Sequence, residues 1–318
     1  APADMERETE DHTGPKPTII SRLKLFLALS RTPHGVLDMA TPALAALLWL
    51  GGFPSAGVIA LGLLTAFAGY TAVYALNDVV DYKVDREEAR PGMFQEPGGD
   101  LDSIFVRHPL AHDLLSLKEA LLWTGGWALI ALIGAYLLNP ICAMIFLAGG
   151  LLEAIYCLLL RVTYLRTLVS GVVKTLGAIA AVFAVDPVPS LGFLAVLFLW
   201  IFFWEIGGQN IPNDWADLKE DLRLRAKTIP VEFGLRGSIR LIAASLLLAV
   251  AMSIVLFWMT PNRLGYPYLA GSLLAGYFLL LLPAYRLHKG ESPEEAIVLF
   301  NRASNYPAVM LLVVMISW

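Results

Sequence analysis

The chain has 318 residues, 57% of them hydrophobic and only 16% charged, with a mean hydropathy of +0.65. That composition excludes an ordinary soluble domain and indicates a polytopic membrane protein. The net charge of −4 argues against a nucleic-acid partner.

Residues 1–18 are polar and Pro-containing, without an apolar h-region, and read as a disordered tail rather than a signal peptide. From Ile19 to Arg31 basic and apolar positions recur at helical spacing and stop at Thr32-Pro33, which suits an amphipathic helix lying in the membrane interface. Runs long enough to cross a bilayer follow at roughly 34–51, 55–77, 119–138, 140–160, 167–185, 190–210, 238–259, 266–285 and 296–317. The expected fold class is therefore all-α, with about nine transmembrane helices. A long surface loop from Arg86 to Ser116, broken by Pro91-Gly92 and Pro97-Gly98-Gly99, follows the second run. A second loop, Asn213 to Gly237, follows the sixth. Arg and Lys segregate to one set of loops, from Arg22 to Arg302, whereas the opposite set holds only Arg263. Cytoplasmic loops retain these residues, so the N-terminus and both long loops are expected at the cytoplasmic face of the cytoplasmic membrane. Cys142 and Cys157 both fall inside the fourth span and read as small buried residues rather than a disulfide pair.

One nine-residue pattern, N-D-x-x-D-x-x-x-D, ends a long apolar run twice: at Asn77 to Asp85 and at Asn213 to Asp221. On a helix, positions i, i+4 and i+8 share a face, so Asn77, Asp81 and Asp85 form one row of oxygen ligands, and Asn213, Asp217 and Asp221 another. Stacked carboxylates repel one another unless a divalent cation or a basic partner neutralises them. Two rows facing one cavity suggest Mg2+ ions holding a diphosphate. Asp78 and Asp214 point about 100° away from their rows and suit a supporting role. The four spans between the motifs suggest two pseudo-equivalent four-helix halves with a ninth helix appended, enclosing a central cavity.

These motifs, the segment Lys227 to Gly234 (KTIPVEFG), Arg31-Thr32-Pro33 before the first span and Tyr156 to Thr163 (YCLLLRVT) after the fourth together resemble the UbiA-type intramembrane prenyltransferase superfamily. The resemblance covers residues 19–318. It implies a helical fold with a central cavity open sideways to lipid, and Mg2+-dependent transfer of an isoprenyl group from its diphosphate to an acceptor, often an aromatic quinone precursor. It also implies that Asn77, Asp81 and Asp85, with Asp217, Asp221 and nearby Asn213, bind the metal–diphosphate. The implied partners are a prenyl diphosphate, a small lipophilic or aromatic acceptor and membrane lipid. One departure concerns the short Arg-Pro-Leu-x-x-Gly segment expected close behind the first motif. Here its counterpart, Arg107-His108-Pro109-Leu110, comes after an insertion, and Asp113 stands at the Gly position.

Breaking an allylic C–O bond requires neutralisation of the leaving diphosphate. Basic residues beside the rows suited to phosphate are Lys83, Arg86, Arg161, Arg225 and Lys227; each could equally be an ordinary flanking charge. Lys174 lies mid-span, where an unpaired charge costs about 2.5–3.5 kcal/mol on insertion scales. It is expected to face the cavity as a catalytic residue reaching the phosphates, or else to pair with Glu153 or Glu205. Tyr70, Tyr74, Tyr156 and Trp204 could supply π-faces to an allylic cation, or only pack. Asp38, Glu205, Gln209 and Asn210 could orient an acceptor or join neighbouring helices. His34, His108 and His112 have no spacing that suggests a zinc site. Other functions fit less of the chain. A terpene cyclase of the same scaffold would use the ionised chain as its own nucleophile, and glycerol-phosphate is an alternative acceptor. A transporter would hold its acids at mid-membrane in halves of opposite topology.

Overall fold

The computed structural model describes residues 19–88, 106, 108–261 and 264–318. The N-terminal tail, Arg90, Arg107, Arg263 and most of the loop after the first motif lie outside the described residues. What is described is helical, as its apolar runs require. α1 (Ile19–Leu29) precedes a first crossing made of two pieces, α2 (Thr32–Asp38) and α3 (Ala40–Leu50). Then come α4 (Ala56–Glu88), α5 (Leu117–Leu138), α6 (Pro140–Leu158), α7 (Arg166–Val185) and α8 (Leu191–Trp204). After a π-helical turn at Glu205–Asn210, α9 (Ile211–Ala216), α10 (Leu218–Leu224) and α11 (Ile229–Met259) follow. The chain closes with α12 (Tyr266–Gly276), a second π turn at Tyr277–Leu281, α13 (Leu282–Gly290), α14 (Pro293–Ser304) and α15 (Tyr306–Met315).

Among the described residues, eight helical segments are long and apolar enough to cross a membrane. The first of the nine expected spans falls on the broken pair α2–α3, neither piece of which is among those eight. Prolines explain the breaks. A proline removes the hydrogen bond to the carbonyl four residues back and crowds that turn. Pro42 does this to Asp38, where α2 ends; Pro307 does it to Ala303, at the α14–α15 junction. Pro212 acts on Gly208 and Pro283 on Leu279, each inside a π turn. π turns recur at functional sites because they rotate the side chains that follow.

Two sequence boundaries differ from expectation. α4 does not end near residue 77 but runs on to Glu88, so the whole first motif is helical and Asn77, Asp81 and Asp85 do share a face. The second motif is broken instead. Asp217 leaves the helical region at φ −93°, ψ 13°, between α9 and α10. The i,i+4 bonds from Asp217 N to Asn213 O (3.1 Å) and from Asp221 N to Asp217 O (3.0 Å) nevertheless keep the row in register. Within α11, Gly234 at φ 66°, ψ 177° separates the short helix of the KTIPVEFG segment from the span proper, a conformation that side chains with a Cβ avoid.

Start signals are conventional. Ser116 and Glu119 form a reciprocal capping box at α5, and Asn139 caps α6 ahead of Pro140. The main core is built where α8 is enclosed: Trp200, Trp204, Phe193 and Leu197 are fully buried against α3, α7, α11 and α15. By contrast α5 and α6 expose Leu122, Leu137, Met144 and Leu151, as lipid-facing helices do. Glycines permit the close crossings. A Cβ on Gly207 would lie 2.8 Å from Ser245 Cβ and 3.0 Å from the Ile242 carbonyl.

Candidate functional site

A cavity of about 550 Å3 opens between α2, α3, α4, α6, α7 and the first π turn. On α4 its lining runs from Val58 to Asp78, twenty residues or about 30 Å of helix, so it extends over most of the bilayer depth. One end is polar, at the two motifs; the other is apolar, at Phe53, Leu138, Val185 and Met315.

At the polar end the two rows come together, since α10 packs on α4. Between them sits Arg166, the first residue of α7. It is 5% exposed, lies 3.8 Å from Asp214 and 4.0 Å above the Tyr156 ring, and also interacts electrostatically with Asp81 and Asp221. By sequence Arg166 is one of the basic residues on the Arg- and Lys-rich side of the membrane. The signal available was its position opening an apolar span directly after YCLLLRVT. Asn77 donates to Glu153 (2.8 Å) and to the Cys157 sulfur (3.3 Å), and the Cys157 thiol hydrogen-bonds Asp81. Cys157 is thus a neighbour of the first row rather than simple packing. Both cysteines are free.

Asp78, turned off its row, is buried and receives Arg31 at 3.4 Å. His108 Nδ1 lies 3.5 Å from Asp78 and 3.0 Å from Asp85. Burial pulls the His108 imidazolium down, but the Asp78 and Asp85 carboxylates beside its Nδ1 outweigh it and push the pKa up to about 10. Asp78, Asp85 and His108 therefore form a group whose ligand atoms lie within 4.8 Å of one another, able to hold a cation or to be neutralised by the imidazolium itself. Thirty residues of sequence separation concealed it. Asp113 takes the left-handed conformation (φ 57°) that the expected glycine would adopt, and binds Arg86 at 3.1 Å. In the second row, burial pushes Asp221 up to about 6, against a 2.8 Å hydrogen bond from Thr228 and with repulsion from Asp217.

Of the five basic residues expected at phosphate, Arg86 contacts Tyr82 and Asp113, and Arg161 pairs with Glu87 at 2.6 Å. Lys83 and Arg225 are exposed, and Lys227, also exposed, lies 3.9 Å from Glu232. None of the five lines the cavity. Lys174 does. Its pairing partner is neither Glu153 nor Glu205 but Asp38, at 2.6 Å, because the Pro42 break sets Asp38 opposite α7. Tyr74 donates to the same carboxylate. Glu205, Gln209 and Asn210 are carried into the interior by the π turn. Glu205 accepts from Ser170 (2.8 Å), Gln209 donates to Ser304 (3.0 Å) and Asn210 donates to the Tyr156 hydroxyl (3.1 Å). Tyr70, Tyr74 and Tyr156 line the cavity; Trp204 is fully buried and donates to the Ala303 carbonyl.

The donor set suits a hard cation and an anion together. Both rows consist of carboxylate and amide oxygens, as Mg2+ requires. Asp214 Oδ2, Asn210 Oδ1 and Arg166 Nε are buried without a hydrogen-bond partner at the same junction, three polar atoms that a bound polar group would satisfy.

Residues 39–305 match the family model described as the UbiA prenyltransferase family. Among curated proteins, the chain is 26% identical over 255 residues to 4-hydroxybenzoate octaprenyltransferase of Shewanella woodyi, covering 78% of this chain and 82% of the relative. Among solved structures, the apo form of a UbiA homolog from Aeropyrum pernix superposes with a TM-score of 0.73 at 19% identity, covering 90% of this chain and 98% of that one. A UbiA homolog from Archaeoglobus fulgidus bound to DMAPP and Mg2+ gives 0.65 at 17% identity, covering 92% and 99%.

Proposed function

Because the chain belongs to the UbiA prenyltransferase family, we propose that this integral membrane enzyme transfers an isoprenyl group from a prenyl diphosphate to an aromatic acceptor within the bilayer. The observation that carries the reading is the buried Arg166, on which Asp214 and Tyr156 close directly and to which Asp81 and Asp221 of the two rows are electrostatically coupled. A structural helix junction has no need of so many acids around one guanidinium.

Asn77, Asp81 and Asp85 on α4, with Asn213, Asp217 and Asp221 after the π turn, would hold the divalent cations, Mg2+ in our reading. Bound there, the metal neutralises the charge that develops on the leaving diphosphate. Arg166 and Arg31 take phosphate oxygens, Arg166 with the planar donor fork that matches them. Asn77 and Asn213 donate through their amide nitrogens to Glu153 (2.8 Å) and Asp217 (3.5 Å), so that the amide oxygen of each is the atom offered to a cation. The far end of the cavity, at Phe53, Leu138, Val185 and Met315, is apolar and suits the isoprenyl chain, and Tyr70, Tyr74 and Tyr156 offer ring faces to a cationic allyl group. Lys83, Arg86, Arg161, Arg225 and Lys227 are left outside this head-group site, since none of them lines the cavity. The relative's acceptor, 4-hydroxybenzoate, supports an aromatic acceptor here, and the loop charge bias supports a cytoplasmic site in the cytoplasmic membrane.

The test is turnover of purified protein with Mg2+, prenyl diphosphates of several lengths and a phenolic acceptor panel, read by mass spectrometry. Asp81→Ala and Asp217→Ala should each abolish product while leaving a folded, monodisperse protein, and EDTA should do the same to wild type. Wild-type rates in both variants would remove the metal site. Release of a cyclic hydrocarbon without any acceptor would replace transfer by cyclisation.

A further inference from the structure

About two turns below the diphosphate end, the cavity holds a second polar group that the mechanism above does not use. Lys174 lies eight residues, about 12 Å of helix, from Arg166 on α7. Its ammonium spends one donor on Asp38 (2.6 Å) and one on the Tyr74 hydroxyl (3.3 Å), leaving a third. Glu205 engages one oxygen with Ser170, whereas its Oε2 is buried and without a partner. The Tyr70 hydroxyl is also buried and without a partner, and it stands over Gly177, where a Cβ would come within 3.2 Å of it. Tyr70, Lys174, Ser170, Gly177 and Glu205 all line the one cavity.

A buried polar atom without a partner is costly, so two of them, the Tyr70 hydroxyl and Glu205 Oε2, lining one cavity with the remaining Lys174 donor mark where a ligand hydroxyl would be satisfied. Charge narrows the ligand further. Every cation lining this cavity already faces a carboxylate: Lys174 has Asp38, Arg31 has Asp78, His108 has Asp78 and Asp85, and His34 lies 3.9 Å from Asp38. Glu153 and Glu205 line the same cavity and, among the described residues, hold no ion pair. An acceptor carboxylate placed beside Lys174 would find that ammonium already held by Asp38 and would face Glu153 and Glu205 as well.

We propose that Tyr70, Lys174 and Glu205 form the acceptor-anchoring site, that they grip a hydroxyl group, and that the Lys174–Asp38 pair with Glu153 and Glu205 selects an uncharged phenol over an acceptor bearing a free carboxylate. This assignment rests on the reading of Arg166 as the diphosphate end.

The test uses the full chain in nanodiscs with Mg2+ and geranyl thiolodiphosphate, which binds without ionising, and measures calorimetric binding of two probes, methyl 4-hydroxybenzoate and 4-hydroxybenzoate. The ester should bind on the order of 100-fold more tightly than the acid. Tyr70→Phe, which removes only a partnerless hydroxyl, should weaken the ester about tenfold and leave thiolodiphosphate affinity unchanged. Asp38→Asn, by freeing Lys174, should narrow the ester-to-acid ratio at least about tenfold, a change that general loosening would not produce. Thiolodiphosphate binding with equal affinity for acid and ester overturns the acceptor assignment alone, as does an unchanged ester affinity in Tyr70→Phe. Failure to bind thiolodiphosphate overturns the diphosphate reading and this assignment with it.

Discussion

Replacing Arg166 separates its charge from its shape. Arg166 and Asp214 are 5% exposed each and 3.8 Å apart, so at an effective dielectric of about 20 their attraction is about 4 kcal/mol before desolvation. Removing one partner of such a pair leaves the other charge buried and costs about 3–5 kcal/mol. Arg166→Met should therefore lower the midpoint of thermal unfolding in nanodiscs by roughly 5–10 °C and abolish turnover. Arg166→Lys keeps the charge but loses the fork and the flat stack on Tyr156, a contact worth about 0.5–2 kcal/mol. It should hold most of the stability yet cut kcat about 100-fold or more, because a point charge cannot replace paired donors on a leaving phosphate. Circular dichroism melts alongside steady-state kinetics measure both. Wild-type kcat in Arg166→Lys, or an unchanged melt in Arg166→Met, would refute the reasoning.

Lys174→Met should destabilise the protein by about 3–5 kcal/mol, whereas Lys174→Met combined with Asp38→Leu should recover most of that loss, giving a double-mutant coupling above about 1 kcal/mol. Additive effects in denaturant titrations would show that the pair is not coupled. His108→Gln removes the positive charge held between Asp78 and Asp85 and should raise Mg2+ affinity about tenfold, read as a lower half-saturating concentration in metal-dependent thermal shift. A weaker affinity would instead make His108 a ligand. Gly207→Ala should cost about 1–3 kcal/mol by thermal unfolding, because its methyl meets Ser245 and the Ile242 carbonyl and neither helix backbone can retreat freely.

Local and periodic features were legible in the chain alone. Apolar run lengths set the number of crossings, since a bilayer of fixed thickness must be spanned by helices that satisfy their own backbone. The spacing of Asn77, Asp81 and Asp85 put three oxygen-bearing side chains on one face because helical periodicity is a property of the backbone, and the charge cost of Lys174 placed it toward the cavity rather than toward lipid. Contacts between distant segments were not legible. That Lys174 meets Asp38 rather than Glu153 or Glu205 depends on how Pro42 breaks the first crossing and how α3 packs on α7. That Arg166, and not Arg161 or Lys227, stands between the rows depends on where the turn after α6 delivers the start of α7. His108 reaches Asp78 and Asp85 across a loop whose course no local pattern encodes. Periodicity reports which face a residue occupies; only helix packing decides what stands opposite that face, because that choice is made by the summed shape and charge of every neighbour at once.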